Sequence, residues 1–223
     1  MTSRVCVARK ASADDPLRCA VLISGSGTGM EKLILHQQSN PQCGHQTVIV
    51  ISDKKSATGL SKADDLGIDN VAIDLPDIED LAQRRLSHET LINQAIEQSG
   101  AELVILSGYM RILTTPFVEK WTPNLVNIHP SLLPHFPGAD AHGDVIASTV
   151  EVSGCTVHFV DSGVDSGAII AQCRVPRFPD DDAASLSARV RVEEHRIYPL
   201  VIDAIAQGRV FKEGDLVTVD GDL

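Results

Sequence analysis

Cys19-Ala20-Val21-Leu22-Ile23, then Ser24-Gly25-Ser26-Gly27-Thr28-Gly29, then Met30 to Gln37 is the stretch on which the fold turns. An apolar run without polar alternation reads as a strand covered on both faces, the glycine cluster as a tight turn, and the spacing beyond it as a helix. The same order recurs downstream: Thr47 to Ser52 as a second strand, Ala57 to Leu66 as a helix, Val71 to Asp74 as a third strand, and Ile78 to Gln98 as a helix. Leu103 to Leu106 and Leu125 to Ile128 are the fourth and fifth strands. Runs such as Thr47-Val48-Ile49-Val50-Ile51 are β-branched, which favours strand over buried helix. Such alternation predicts an α/β fold of Rossmann-like type: a mostly parallel sheet with helices on both faces.

After Ser153 the pattern changes. Cys155 to Val160 and Ala168 to Val175 are apolar runs joined by a Gly-rich loop, so the sheet is expected to end in an antiparallel C-terminal portion. Ala183 to Ala206 reads as a long helix interrupted near Pro199, and Arg209 to Val219 as a terminal hairpin. Met1 to Leu17 shows no periodicity and contains Asp14-Asp15-Pro16, so residues 1–17 are expected to be a poorly ordered tail and residues 18–223 one domain.

The totals bound the function. The 19 basic and 30 acidic residues give a net charge of -11, which opposes binding to phosphate polymers, so no nucleic-acid partner is expected. An anionic ligand must be held by a local device, and this points to small-molecule substrates. No apolar run reaches the roughly 20 residues of a membrane span, so no membrane partner is expected and the default location is cytoplasmic. Cys6, Cys19, Cys43, Cys155 and Cys173 are an odd set without C-x-x-C spacing, which reads as reduced thiols and not as a disulfide framework or a zinc site.

Three constellations carry chemistry. Gly27, Thr28 and Gly29 lie between a strand and a helix, where backbone N–H groups and the helix N-terminus can cradle a phosphate; the alternative is a turn that binds nothing. The loop is neither a P-loop nor a G-x-G-x-x-G fingerprint, although Asp53 at the end of the second strand leaves a dinucleotide site as a rival. In Tyr109-Met110-Arg111-Ile112-Leu113, at the carboxyl edge of the sheet, Arg111 could clamp a carboxylate while Met110, Ile112 and Leu113 line an apolar slot for a flat ring. In Val126-Asn127-Ile128-His129-Pro130, Asn127 and His129 are two apart on a strand and share a face, and Pro130 forces the chain out of the sheet with the imidazole at its rim. Asp165, in the loop Ser162 to Gly167, is the candidate third member.

Together with Gly108-Tyr109-Met110-Arg111-Ile112-Leu113, Val157-His158-Phe159-Val160 and Glu193-Glu194-His195-Arg196-Ile197-Tyr198-Pro199, the stretch Val126 to Pro134 resembles the motifs of the phosphoribosylglycinamide formyltransferases, folate-dependent enzymes of purine synthesis. The resemblance runs from Ala20 to about Val210. It implies that Asn127, His129 and Asp165 are catalytic, with His129 as general acid, and that the co-substrate is 10-formyltetrahydrofolate, with no metal required. It implies further that Gly27, Thr28, Gly29, Arg191 and Glu194 bind the ribonucleotide, and that Met110, Arg111, Ile112, Leu113, Asn127, Asp161, Val164 and Asp165 frame the folate. Arg84 matches an arginine near the folate tail, with Arg85 an equal neighbour. A monomer or a homodimer is compatible with all of this.

The chain departs from the pattern at Gly29, where many relatives have Asn, and over Ala139-Asp140-Ala141-His142. His135, Asp140 and His142 invite a metal reading, for which loop polar residues are the plainer alternative. The rival functions are a formyltetrahydrofolate hydrolase, which shares an Asn-x-His core but usually carries an additional N-terminal domain that about 17 residues cannot form, a nicotinamide-dinucleotide oxidoreductase, and a binding protein that has lost catalysis.

Overall fold

The structure, a computed structural model, describes residues 5–223. Its centre is a seven-stranded sheet in the order β4-β3-β2-β5-β6-β7-β8, built from Asn70–Ala72, His45–Ser52, Leu17–Ile23, Leu103–Leu106, Leu125–His129, Val152–Phe159 and Ile169–Pro176 respectively. The first five in that order pair in parallel, and β7 and β8 are antiparallel, as the change of pattern after Ser153 predicts.

Helices cover both faces. Met30, Leu33 and Ile34 of α1 (Thr28–Ser39), Ala63 of α2 (Thr58–Asp65), Val145 of α5 (Ala141–Ala147) and much of α6 (Ala183–Ala206) join one core cluster with β2, β6, β7 and β8. Ile92 and Ile96 of α3 (Leu81–Gln98) and Phe117 and Val118 of α4 (Thr115–Trp121) form the opposite core with the other side of β2 and β5. Strand residues thus alternate between two cores, which is why these strands read as unbroken apolar runs.

Three expectations are revised. Helix α6 continues through Pro199, which is buried within it, where an interruption was expected. The helices α4 and α5, seven residues each, were not anticipated from the pattern. The segment expected to be a disordered tail is structured from Val5 onward, residues 1–4 lying outside the described residues. Strand β1 (Val5–Cys6) pairs with β9 (Val210–Glu213) in a small sheet completed by β10 (Leu216–Val219), and Val7 is fully buried. Arg9 donates from Nε to Glu102 at 2.7 Å and from Nη1 to Asp15 at 2.9 Å, so the charges that looked like tail composition are ion-paired.

The strand order reverses between β2 and β5: β3 and β4 lie to one side of β2, β5 and β6 to the other. The loops leaving the carboxyl ends of these strands therefore diverge and leave a crevice, the place where open α/β sheets bind ligands. The loop after β2 is Ser24 to Gly27 and the loop after β5 begins at Ser107. They are tied together, since Ser24 N–H donates to the Gly108 carbonyl at 3.2 Å and Met110 N–H donates to Ser24 Oγ at 2.9 Å.

Candidate active site

A cleft of about 670 Å³ opens at that crevice, within the range of small-molecule sites. Its walls include Gly27, Thr28, Gly29, Met110, Arg111, Ile112, Leu113, Asn127, His129, Asp161, Val164, Asp165, Arg191 and Glu194, so the candidate residues from three separate loops, one strand and two helices are brought together. Arg84 is not among them. Its Nε donates to the Ile78 carbonyl at 2.5 Å, and it stands in the first turn of α3 away from the cleft.

Asn127 and His129 share a face of β6, as their spacing requires, and His129 is 4% exposed. Its Nε2 lies 2.8 Å from the Phe136 carbonyl, and its Nδ1 lies 3.3 Å from Asp165 Oδ2. The Nε2 hydrogen bond fixes the ring, and the Nδ1 contact is an ion-pair distance not aligned as a hydrogen bond. Asp165 sits at φ 51, in the left-handed region that aspartate tolerates better than most residues. Its Oδ2 also accepts from Gly138 N–H at 2.8 Å, which joins the loop after β7 to the loop after β6.

His158 is part of the same cluster although sequence reasoning gave it no role. It is 2% exposed, its Nδ1 donates to the Phe159 carbonyl at 2.8 Å, and burial, first among the causes, holds it below the ordinary histidine range. The ring is therefore neutral with a free lone pair on Nε2, which receives an N–H from the Asn127 amide at 3.3 Å. That contact orients the amide. The available signal was a single imidazole inside the apolar run Val157 to Val160.

The loop that carries Phe136 and Gly138 is held from below by Thr156. The buried hydroxyl donates to the Ser131 carbonyl at 2.6 Å and accepts from Leu133 N–H at 3.0 Å and from Gln172 Nε2 at 2.9 Å. Thr156→Val keeps the shape and strands these partners, at about 1–3 kcal/mol for each buried group left unpaired. We therefore expect a lowered urea midpoint with an unchanged slope; a midpoint equal to that of the parent protein would contradict the role.

The glycine loop reaches α1 through Gly27 at φ 61, where an added Cβ would stand 2.9 Å from the Gly59 Cα, so the close packing of α1 against α2 requires glycine here. At Gly29 an added Cβ would meet Ser107 Oγ at 2.7 Å. The hydroxyl of Ser107, at the end of β5, thus occupies the space that a side chain at position 29 would need, and it faces the cleft.

Arg111 Nε lies 2.6 Å from Asp53 Oδ2, an ion pair not aligned as a hydrogen bond. The Arg111 guanidinium thus stands against Asp53, which is buried. Met110, Ile112 and Val164 are large, exposed and apolar around the cleft, while Leu113 is buried beneath them. On α6, burial pushes the Glu194 carboxyl up to about 7 against the opposing pull of Arg191. Of the three residues that invite a metal reading, His142 lines the cleft, whereas Asp140 caps α5 by accepting from Gly143 N–H at 3.3 Å.

The family model described as formyl transferase matches residues 17–202. The chain is 36% identical over 207 residues to the phosphoribosylglycinamide formyltransferase of Escherichia coli (strain K12), covering 92% of this chain and 94% of that protein. It is 35% identical over 206 residues to the Haemophilus influenzae protein of the same name, with the same coverages. It also matches the bovine trifunctional purine biosynthetic protein adenosine-3 with 43% identity over 193 residues, but spans only 19% of that protein's length. The crystal structure of glycinamide ribonucleotide transformylase 1 from Symbiobacterium toebii superposes with a TM-score of 0.86 at 38% identity, covering 92% of this chain and 94% of that one.

Proposed function

Since the chain belongs to the formyl transferase family, we propose that it transfers the formyl group of 10-formyltetrahydrofolate to the amine of 5'-phosphoribosylglycinamide, a cytoplasmic step of purine synthesis. The observation that carries this reading is the meeting of Asn127, His129 and Asp165 in one cleft with the glycine loop at the switch point of the sheet.

The amine attacks the formyl carbon and negative charge builds on the formyl oxygen. The Asn127 amide, oriented by His158, supplies one donor for that oxygen, and His129 Nε2 supplies a second by exchanging its contact with the Phe136 carbonyl. The new C–N bond forms as the bond to the folate nitrogen breaks, and one proton moves from the attacking amine to the departing nitrogen with His129 as general acid. The exposed apolar ring of Met110, Ile112 and Val164 suits a flat pterin, and the loop at Gly27 and Thr28 suits the phosphate. Arg191 and Glu194, one turn apart on α6, face the ribonucleotide.

Ser107 answers the departure at Gly29. Its hydroxyl stands where a side-chain donor on the loop would otherwise be, so it replaces that donor to the ribonucleotide. Ser107→Ala is expected to raise the KM for the ribonucleotide about tenfold, the worth of a hydrogen bond to a charged group, with the KM for the folate unchanged. Equal changes in both constants would refute the assignment.

A hydrolase would use the same three residues and deliver the formyl group to water. Following release of deformylated folate with and without 5'-phosphoribosylglycinamide separates the two: release that depends on the ribonucleotide supports the transferase, and equal release without it supports the hydrolase. The dinucleotide reading loses its support with Asp53 in contact with Arg111.

A further inference from the structure

At the opposite, amino-terminal edge of the sheet four metal-ligating side chains from separate elements converge. His36 on α1, Cys43 in the turn after it, His45 at the start of β3 and Asp203 near the end of α6 each present one ligand atom, and these atoms all lie within 4.8 Å of one another. His36 Nε2 is 2.8 Å from Asp203 Oδ2, His45 Nε2 is 3.0 Å from Asp203 Oδ1, and Cys43 Sγ is 3.9 Å from the same oxygen. Cys43 and His45 are buried, while His36 and Asp203 are partly open to solvent.

We propose that His36, Cys43, His45 and Asp203 form a structural zinc site that fastens the turn between α1 and β3 to α6. Two imidazoles, one thiol and one carboxylate are a donor set for a borderline-soft cation and not for magnesium or calcium. Zinc holds sulfur at about 2.3 Å and nitrogen or oxygen at about 2.0–2.2 Å, which sets tetrahedral donors roughly 3.3–3.7 Å apart. Each ligand atom needs to move by less than about an ångström. Four protein ligands close the site, so it has no part in catalysis. No short-range cysteine motif announces it, because its ligands come from two helices, a turn and a strand.

The tautomer of His45 is set by Gln37. Thr47 N–H donates to Gln37 Oε1 at 2.9 Å, so the amide nitrogen faces His45 Nδ1 at 2.9 Å and donates to it. The Nε2 proton then points at Asp203. Zinc takes the Nε2 lone pair, so the imidazole proton must sit on Nδ1, and Gln37 must turn and release Thr47 N–H to accept it. A glutamate at position 37 has two acceptor oxygens and serves Thr47 and the zinc-bound tautomer together. Loading also displaces the Cys43 proton, because zinc binds the thiolate.

The test uses the full chain freed of metal by chelation and Co2+ as a spectroscopic probe, with Zn2+ for stability. One equivalent of Co2+ is expected to give a thiolate charge-transfer band, and Zn2+ at about a hundredfold over its Kd is expected to raise Tm by roughly 5–10 °C. Cys43→Ser and, independently, His36→Ala are expected to lose the band or the shift, and Gln37→Glu to bind about tenfold more tightly or better. Binding without a thiolate band, or a Tm shift that survives in Cys43→Ser, would place the ion on other donors such as the cleft histidines and overturn the site. So would a Gln37→Glu chain that binds no more tightly than its parent.

Discussion

His129→Ala is expected to lower kcat for formyl transfer by about 10²–10⁴-fold, with the substrate KM values changed far less, because the imidazole acts on charge that exists only in the transition state. Asp165→Asn is expected to approach the same loss by a different route. An amide at position 165 can still accept from Gly138 N–H, which now bonds the carboxylate at 2.8 Å, so the loop stays joined. What disappears is the negative charge 3.3 Å from His129 Nδ1. The double variant should be little worse than either single one, since the two residues act as a unit. Steady-state rates for the parent protein and the three variants check this. Additive losses, or full activity in His129→Ala, would contradict it.

Glu194→Gln is expected to stabilise the free protein at alkaline pH while weakening its use of the ribonucleotide. Burial raises the Glu194 carboxyl from an ordinary 4.5 to about 7. Between these two values the folded chain holds a proton that the unfolded chain has released, so stability falls as pH rises through this window, and above it the full cost is present. At about 1.4 kcal/mol per pH unit the cost is about 3 kcal/mol, which glutamine does not incur. Thermal unfolding at pH 5 and pH 8 should therefore show Tm for Glu194→Gln above that of the parent by about 6–12 °C at pH 8 and by much less at pH 5. A difference that does not change with pH would contradict the assignment. The proposed contact of Glu194 with the ribonucleotide predicts that the same variant also raises the ribonucleotide KM.

What could be read from the chain follows physical range. Asn127 and His129 were legible because a strand repeats every two residues and Pro130 ends it, both local facts. The strand-loop-helix at Cys19 to Gln37 was legible for the same reason, with the observed bounds of β2 and α1 only a few residues wider. Asp165 was a loop residue whose role came from resemblance, since nothing local predicts that it meets an imidazole 36 positions earlier.

Contacts between distant segments stayed hidden. Ser107 and Gly29 are neighbours only because β5 pairs with β2, and Arg111 reaches Asp53 only across the switch point. The order of Val5 to Leu17 depends on β9, about 200 positions away, and a two-residue strand has no periodicity to detect. The short α4 and α5 were missed because seven residues span about two turns, too few for a 3.6-residue pattern to stand out.

In the proposed reaction the formyl carbon passes from the folate to the ribonucleotide amine in this cleft. Tracing it with 10-formyltetrahydrofolate carrying carbon-13 in the formyl group, in the presence of 5'-phosphoribosylglycinamide, is the most direct test. A carbon-13 amide signal is expected on the ribonucleotide product, formed by the parent protein and abolished in His129→Ala. Carbon-13 recovered as formate, or an amide signal formed equally well by the variant, would contradict it.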